Sequence, residues 1–316
     1  MDMRTKLVFA LVAVALISML TLGGVTYSQA RALLRQNTLD QLEGLAETKR
    51  DALETALGGW QERVALIASR TQLRLSLSEV NQQGGAATAR IARILADARD
   101  SQETVSALAV EGLDSSRVVS VGDELIAPPS TLIRGTASAR DDPRAVVLEG
   151  VELSESGDLR AHLRADLYLD DRRIGLLRAV LDGTDVLEIV RNYAGLGETG
   201  ETLVLVQDEG VPRVVHRRFP GSGPPVTLVD EGELGSTSDA DAYWEGVTDY
   251  RGEPVWMAVR RMPSTGWLVL VKSDEAEATA PITEFRANLM DTGLALAAFA
   301  ILLGTLLGIR FARPIN

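Results

Sequence analysis

The residues best suited to recognising a ligand fall in one segment. From Leu159 to Leu169, Arg160, His162, Arg164, Asp166 and Tyr168 alternate with Leu159, Ala161, Leu163, Ala165, Leu167 and Leu169. A strand has a side-chain period of two, so the two sets occupy opposite sides of a sheet. Two guanidiniums on one side suit a carboxylate or phosphate, which each can grip as a bidentate fork. The same pattern also fits a strand whose polar side is simply wet, because antiparallel sheets often leave one face to solvent. The polar face therefore either lines a ligand cavity or meets water.

Other chemistry finds no such set. There is no His-Glu-x-x-His, no Gly-rich phosphate loop ending in Lys and no Gly-x-Ser-x-Gly. The chain has no cysteine, so it offers no disulfide, thiolate nucleophile or thiolate metal site. Its two histidines, His162 and His216, are far apart, which argues against a His-rich zinc site. Asp141-Asp142 and Asp170-Asp171 are neighbours in turns and should point apart, and Asp239-Ala240-Asp241 reads as a solvated loop. These residues predict no catalysis, no cofactor and no metal.

The elements that must carry the polar strand follow from periodicity. Leu39, Ala46, Leu53, Trp60 and Ile67 recur every seven residues, widened by Leu42, Leu57 and Val64. Such a stripe predicts one amphipathic helix from Tyr27 to Val80, with Gly58-Gly59 as a place to bend and Asn81 to Gly85 as its end. A second helix is expected over Ala86–Ala98. Short β-rich runs follow at Val105–Val110, Arg117–Val121, Ala145–Leu153, Leu159–Leu169 and Arg173–Leu181, then a helix over Thr184–Tyr193 with Thr184 as N-cap. The order then repeats with Thr202–Gln207, Arg213–His216, Tyr243–Thr248, Pro254–Met262 and Trp267–Lys272, and a helix from Asp274 to Met290. The irregular stretches Asp123–Pro143 and Phe219–Asp241 interrupt the two sets. The expected fold class is α+β, with two PAS-like five-stranded antiparallel sheets, membrane-distal and membrane-proximal, backed by one long N-terminal helix and flanked by two transmembrane helices.

The flanks are uncharged apolar runs, Leu7–Val25 and Gly293–Ile309. Each is close to the ~20 residues that cross a ~30 Å hydrocarbon core. Arg4 and Lys6 precede the first and Arg310 and Arg313 follow the second, so the positive-inside rule places both ends in the cytoplasm and Thr26–Thr292 outside it. A cleaved signal peptide, ending near Ser28-Gln29-Ala30, is the other reading of the first run, and a buried core helix that of the second. The formal net charge of −12 argues against nucleic acid and against anionic lipid as partners of the outer part. It fits solubility.

Several short motifs carry a family resemblance. Gly197-Glu198-Thr199-Gly200-Glu201 resembles the Gly-x-Thr-Gly-Glu entry into the proximal sheet of double Cache extracytoplasmic sensor domains. Arg251-Gly252-Glu253-Pro254-Val255 resembles the hairpin of that family, Thr265-Gly266-Trp267 its last strand and Asp274 to Ala278 its exit helix. Read without the family, Gly200 can supply a positive φ, Gly252 and Gly266 are hairpin glycines and Trp267 is a core anchor. Arg313-Pro314-Ile315 is similar to the opening of a HAMP linker.

The resemblance implies residues 1–6 as a cytoplasmic N-terminus, 7–25 as the first span and 26–85 as the long helix. It implies 86–196 as the distal unit, 197–292 as the proximal unit with its exit helix, 293–309 as the second span and 310–316 as a HAMP start. It further implies a small-molecule ligand such as a carboxylate or amino acid, a homodimer, and Pro281, Arg313 and Pro314 on the route of the signal. In the amino-acid-binding branch an aspartate placed like Asp182 holds the ligand's ammonium, but the Tyr, Arg and Trp-Tyr of that branch are not seen here. Tyr243, Trp244, Trp256 and Arg260 are either core or the lining of a second cavity. The output that would follow Asn316 in a longer receptor is a histidine kinase by family association, with a chemoreceptor or a diguanylate cyclase as alternatives. A membrane-anchored protein-interaction domain is the alternative of another class.

Overall fold

The computed structural model describes residues 3–114, 116–122, 132–133, 144–154, 157–208, 211–219 and 241–311. The chain divides into two units, Leu42–Asp274 and a second made of Met1–Gln41 with Glu275–Asn316.

The Leu42–Asp274 unit holds two antiparallel sheets of five strands. In the distal sheet β1 (Val105–Glu111), β2 (Arg117–Val121), β3 (Val147–Leu153), β4 (Leu159–Leu169) and β5 (Arg172–Asp182) lie in the order β2-β1-β5-β4-β3. The proximal sheet repeats this order as β7-β6-β10-β9-β8, with β6 (Glu201–Asp208), β7 (Val211–Val214), β8 (Asp241–Thr248), β9 (Pro254–Arg261) and β10 (Leu268–Asp274). The expected strands are all present, with ends moved by a few residues. Most of the two irregular stretches lies outside the described residues.

The helix α1 (Met3–Ala68) backs both sheets through the stripe that predicts it. Leu53, Leu57, Trp60, Val64 and Ile67 share one buried core with Leu163, Leu177 and Ala179 of the distal sheet and with Val204, Val269 and Trp267 of the proximal one. Polar groups on α1 tie it to the same partners. The Trp60 indole donates to the Asp185 carboxylate at 3.0 and 3.2 Å, and Glu54 accepts the Ser264 N–H at 3.1 Å. Lys49 donates to the Ile189 and Asn192 carbonyls, both at 2.7 Å, closing the C-terminal end of α4 (Thr184–Arg191). Burial pushes the Lys49 ammonium pKa down.

Two expectations about helices need correction. The long helix does not run unbroken to Val80. It stops at Ala68, Arg70 is extended, and α2 (Thr71–Gln83) starts anew, followed by a 3-10 turn and α3 (Thr88–Asp100). The Ser69 hydroxyl turns back to the Leu66 carbonyl at 2.9 Å, competing with the helical ladder. Gly58-Gly59 stays inside α1 without a break. Thr184 is likewise not the N-cap of α4; Gly183 is, and the Asp182 carboxylate accepts the Thr184 N–H at 2.8 Å and its hydroxyl at 2.6 Å.

In the other unit, α5 (Glu275–Phe311) runs as one helix through the expected exit helix and second apolar run. Both α1 and α5 contain stretches long and apolar enough to cross a membrane, and neither stretch is buried. They touch where Gly293 faces Met19; a Cβ at Gly293 would lie 3.3 Å from the Met19 Cε.

Candidate functional site

The three helices α1, α2 and α3 contribute to one core on one side of the distal sheet. On the other side the strand register assembles a charged patch. Arg164 pairs across from Arg178, and Arg178 across from Ala109, so these three share a face. Glu111, opposite Leu176, lies on that face too, and Ala107 and Val180 pair beside it. Ala107, Ala109 and Val180 form a small buried apolar cluster. Beside them, Arg178 donates to Glu111 at 3.0 Å and to Glu149 at 2.5 Å. The Arg164 Nε lies 4.0 Å from the same Glu149, and buried His162 lies with Nε2 3.5 Å from the Glu152 carboxylate. Gly175 permits the close approach of β1 that sets this up: a Cβ there would sit 2.3 Å from the Glu111 carbonyl oxygen.

This arrangement has a definite capacity. It offers carboxylates for an ammonium and guanidiniums for a carboxylate, next to a fully buried cluster of two alanines and a valine. Arg178 is committed to two acids, whereas the side chain of Arg164 is 39% exposed and, among the described residues, makes a long contact with Glu149.

At the β4–β5 tip lies a hollow of about 310 Å³ lined by Arg74, Arg144, Asp166, Tyr168, Asp170 and Asp171, with Ala65, Ala68 and Ser69 from the end of α1. Most of its charges answer one another. Arg144 pairs with Asp171, Arg173 with Asp166 at 3.1 Å, and Arg74 donates to the Ser69 carbonyl at 2.8 Å.

The proximal sheet differs. Its face away from α1 is apolar, built from Leu203, Leu205, Met257, Val259, Leu268, Leu270 and Tyr250. At one end of that face lies a buried ionic network. Lys272 and Glu201 are both 0% exposed, and the Lys272 ammonium meets Glu201 at 2.6 Å and also Asp249. Glu201 accepts in addition from the Tyr250 hydroxyl at 3.1 Å and the Arg218 N–H at 3.0 Å. Asp249 accepts from Arg251 Nε at 2.7 Å, and Arg251 continues to Asp274. Burial would raise the Asp249 pKa, but the hydrogen bonds from Lys272 and Arg251 outweigh it and hold the carboxyl below its usual range. Burial, then the nearby Glu201 carboxylate, pushes the Tyr250 hydroxyl well up.

No family model matches the chain, and no curated protein matches it in sequence. Solved structures do. The ligand-binding domain of the Pseudomonas fluorescens chemoreceptor CtaA, in complex with L-isoleucine, superposes with a TM-score of 0.52 at 16% identity, covering 79% of this chain and 98% of that one. The sensory domain of the Campylobacter jejuni chemoreceptor Tlp3 (CcmL) gives 0.51 at 12% identity, covering 78% and 98%. With isoleucine bound, that sensory domain gives 0.50 at 12% identity, covering 78% and 97%.

The chain has the fold of a chemoreceptor sensory domain. At these identities the likeness is one of fold, and the residues of the site are argued from this chain alone.

The sensory fold divides the sequence-derived candidates. Arg164 and His162 join the charged patch, and Arg160 pairs across from Asp182 at its edge. Asp166 and Tyr168 lie at the far end of β4, beside the hollow. Asp182 is exposed, with one carboxylate oxygen engaged by Thr184. Tyr243, Trp244, Trp256 and Arg260 do not line one cavity. Trp256 and Arg260 point with Val269 toward α1, where Arg260 meets Glu43 at 3.1 Å, while Trp244 packs on the opposite apolar face. Pro281 is exposed within α5, and Arg313 and Pro314 lie outside the described residues. Three residues of the patch, Glu111, Glu149 and Arg178, escape sequence reading. Their signal is faint: each is a charge flanked by apolar or small residues within a strand, and such charges need partners when buried.

Proposed function

We propose that this chain is the ligand-sensing and membrane-spanning part of a double Cache receptor, and that it binds a small amino acid on the outer face of its distal sheet. The observation that supports it most is the patch in which Arg178 bridges Glu111 and Glu149 beside the buried cluster of Ala107, Ala109 and Val180, with Arg164 still partly exposed. An α-amino acid presents both charges and a short side chain. In this reading Arg164 grips the carboxylate and Glu149 and Glu152 face the ammonium. His162 orders Glu152, Arg160 borders the entrance, and Asp182 holds the start of α4 rather than the ligand. Isoleucine, bound in the CtaA and Tlp3 structures, is the first ligand to try.

In the same reading α1 and α5 cross the plasma membrane, both termini are cytoplasmic and the sheets are periplasmic. Binding favours one of two conformers, and the shift passes from the proximal sheet along α5, past Pro281, to the HAMP-like Arg313 and Pro314. Two copies pack as a homodimer. The output is a histidine kinase; a chemoreceptor output is the second reading, favoured by the kind of protein whose sensory domains share the fold.

A thermal-shift panel of the twenty L-amino acids on the whole chain in nanodiscs tests this. At a hundredfold excess over Kd, a ligand should stabilise the outer unit by about 2.7 kcal/mol. Absence of a shift with every amino acid at millimolar concentration would sink the reading.

A further inference from the structure

The buried network of the proximal sheet ends at the residue from which α5 departs. Asp274 is the last residue of β10 and Glu275 the first of α5. Asp274 is held twice: its carboxylate by Arg251, and its N–H by the Thr199 hydroxyl at 3.0 Å. Arg251 reaches it from the β8–β9 turn, whose shape Asp249 fixes by accepting the Arg251 and Glu253 N–H groups at 2.8 and 3.2 Å. Asp249 in turn shares Lys272 with Glu201. The chain Glu201, Lys272, Asp249, Arg251, Asp274 thus starts fully buried inside the sheet and emerges at the helix junction. Its inner members cannot be rearranged one at a time, because a buried charge stripped of its partner is strongly disfavoured. The outer link differs. Arg251 and Asp274 keep some access to water, so this pair can open while Asp249 stays neutralised by Lys272.

We propose that Arg251 is the positioning residue that fixes how α5 leaves the proximal sheet, with its bond to Asp274 as the release point. A guanidinium fits this task because it can hold the Asp249 and Asp274 carboxylates at once in a fixed fork, which a lysine ammonium cannot do with the same geometry. Residues 199, 201, 249, 251, 272 and 274 come from the start of β6, the end of β10 and the β8–β9 turn, so any shear between these strands strains the outer link first. The use of that release in signalling rests on the sensor reading; the fixing of the junction does not.

Hydrogen exchange of the whole chain in nanodiscs tests it, with Arg251→Gln, Asp274→Asn and the double variant, and no ligand added. Each single variant should speed exchange at the amides of residues 278–280, the first in α5 with intrahelical partners, by about tenfold, the size expected when a charge-assisted hydrogen bond is lost. The double variant should be no faster than either single one, since both remove the same bond. Arg251→Lys should fall between parent and Arg251→Gln. Amides of β6 and β10 should keep parental protection, which separates positioning from general loss of stability. Unchanged exchange at 278–280 in both single variants, effects that add in the double variant, or loss of protection throughout the proximal sheet would each overturn the proposal. A failed amino-acid screen with this exchange pattern intact would remove the sensor reading and leave the junction assignment standing.

Discussion

Lys272 is the side chain on which the proximal sheet depends most. Its ammonium lies fully buried between Glu201 and Asp249. Lys272→Met keeps the packing but leaves two buried carboxylates facing each other, and should destabilise the unit by about 3–5 kcal/mol in a denaturant titration. Acid acts on the same group. The folded Asp249 carboxyl has its pKa depressed, first against the opposing effect of burial, by its bonds to Lys272 and Arg251. A depressed carboxyl contributes stability that is present above its unfolded pKa of about 3.9 and is lost as pH falls through the folded value. The melting temperature of the parent should therefore drop below about pH 4. Asp249→Asn should melt lower at neutral pH and show a shallower acid slope; an unchanged slope would mean that other carboxyls dominate acid unfolding.

Elements show how much of the fold is legible in the sequence. The strand Leu159–Leu169 is read to the residue because strict alternation has one structural solution. The helix α1 is read from its heptads, but its end is not. Continuing the heptad past Ile67 demands an apolar residue at 74, where Arg74 stands; the buried side chains are instead Leu73 and Leu77. That phase slip marks the Ser69–Arg70 break better than Gly58-Gly59, which only lacks propensity. Gly200 is a second lesson. It is needed for space rather than for a left-handed φ: a Cβ there would lie 2.0 Å from the Leu196 carbonyl oxygen, while Gly195 and Gly197 carry the positive φ. Gly58 is the opposite case, exposed and with nothing near its missing Cβ. Gly58→Ala should thus stabilise the chain by roughly 0.5–1 kcal/mol through helix propensity, measured by thermal unfolding. A loss of stability would show that something packs on that side of α1.

At the scale of the molecule, one helix backs two sheets of the same strand order, and the sheets differ in what they hold on their far faces. The proximal far face is apolar and ends in a buried ionic network. The distal far face gathers charges of both signs beside a small buried apolar cluster, which suits the proposed zwitterion. Arg160, His162 and Arg164 were legible as one side of a strand, whereas Glu111, Glu149 and Arg178 needed the register of β1, β3 and β5, a long-range pairing that no local pattern records. The proposed occupant of this patch is a small amino acid. Isothermal titration of the whole chain with the amino acid that stabilises it most, for the parent and for Arg164→Ala, tests it most directly. The parent should bind at one site per chain, and Arg164→Ala should bind with at least a tenfold weaker Kd, about 1.4 kcal/mol, with the melting temperature of the free protein unchanged. Equal affinity in the two proteins would contradict it.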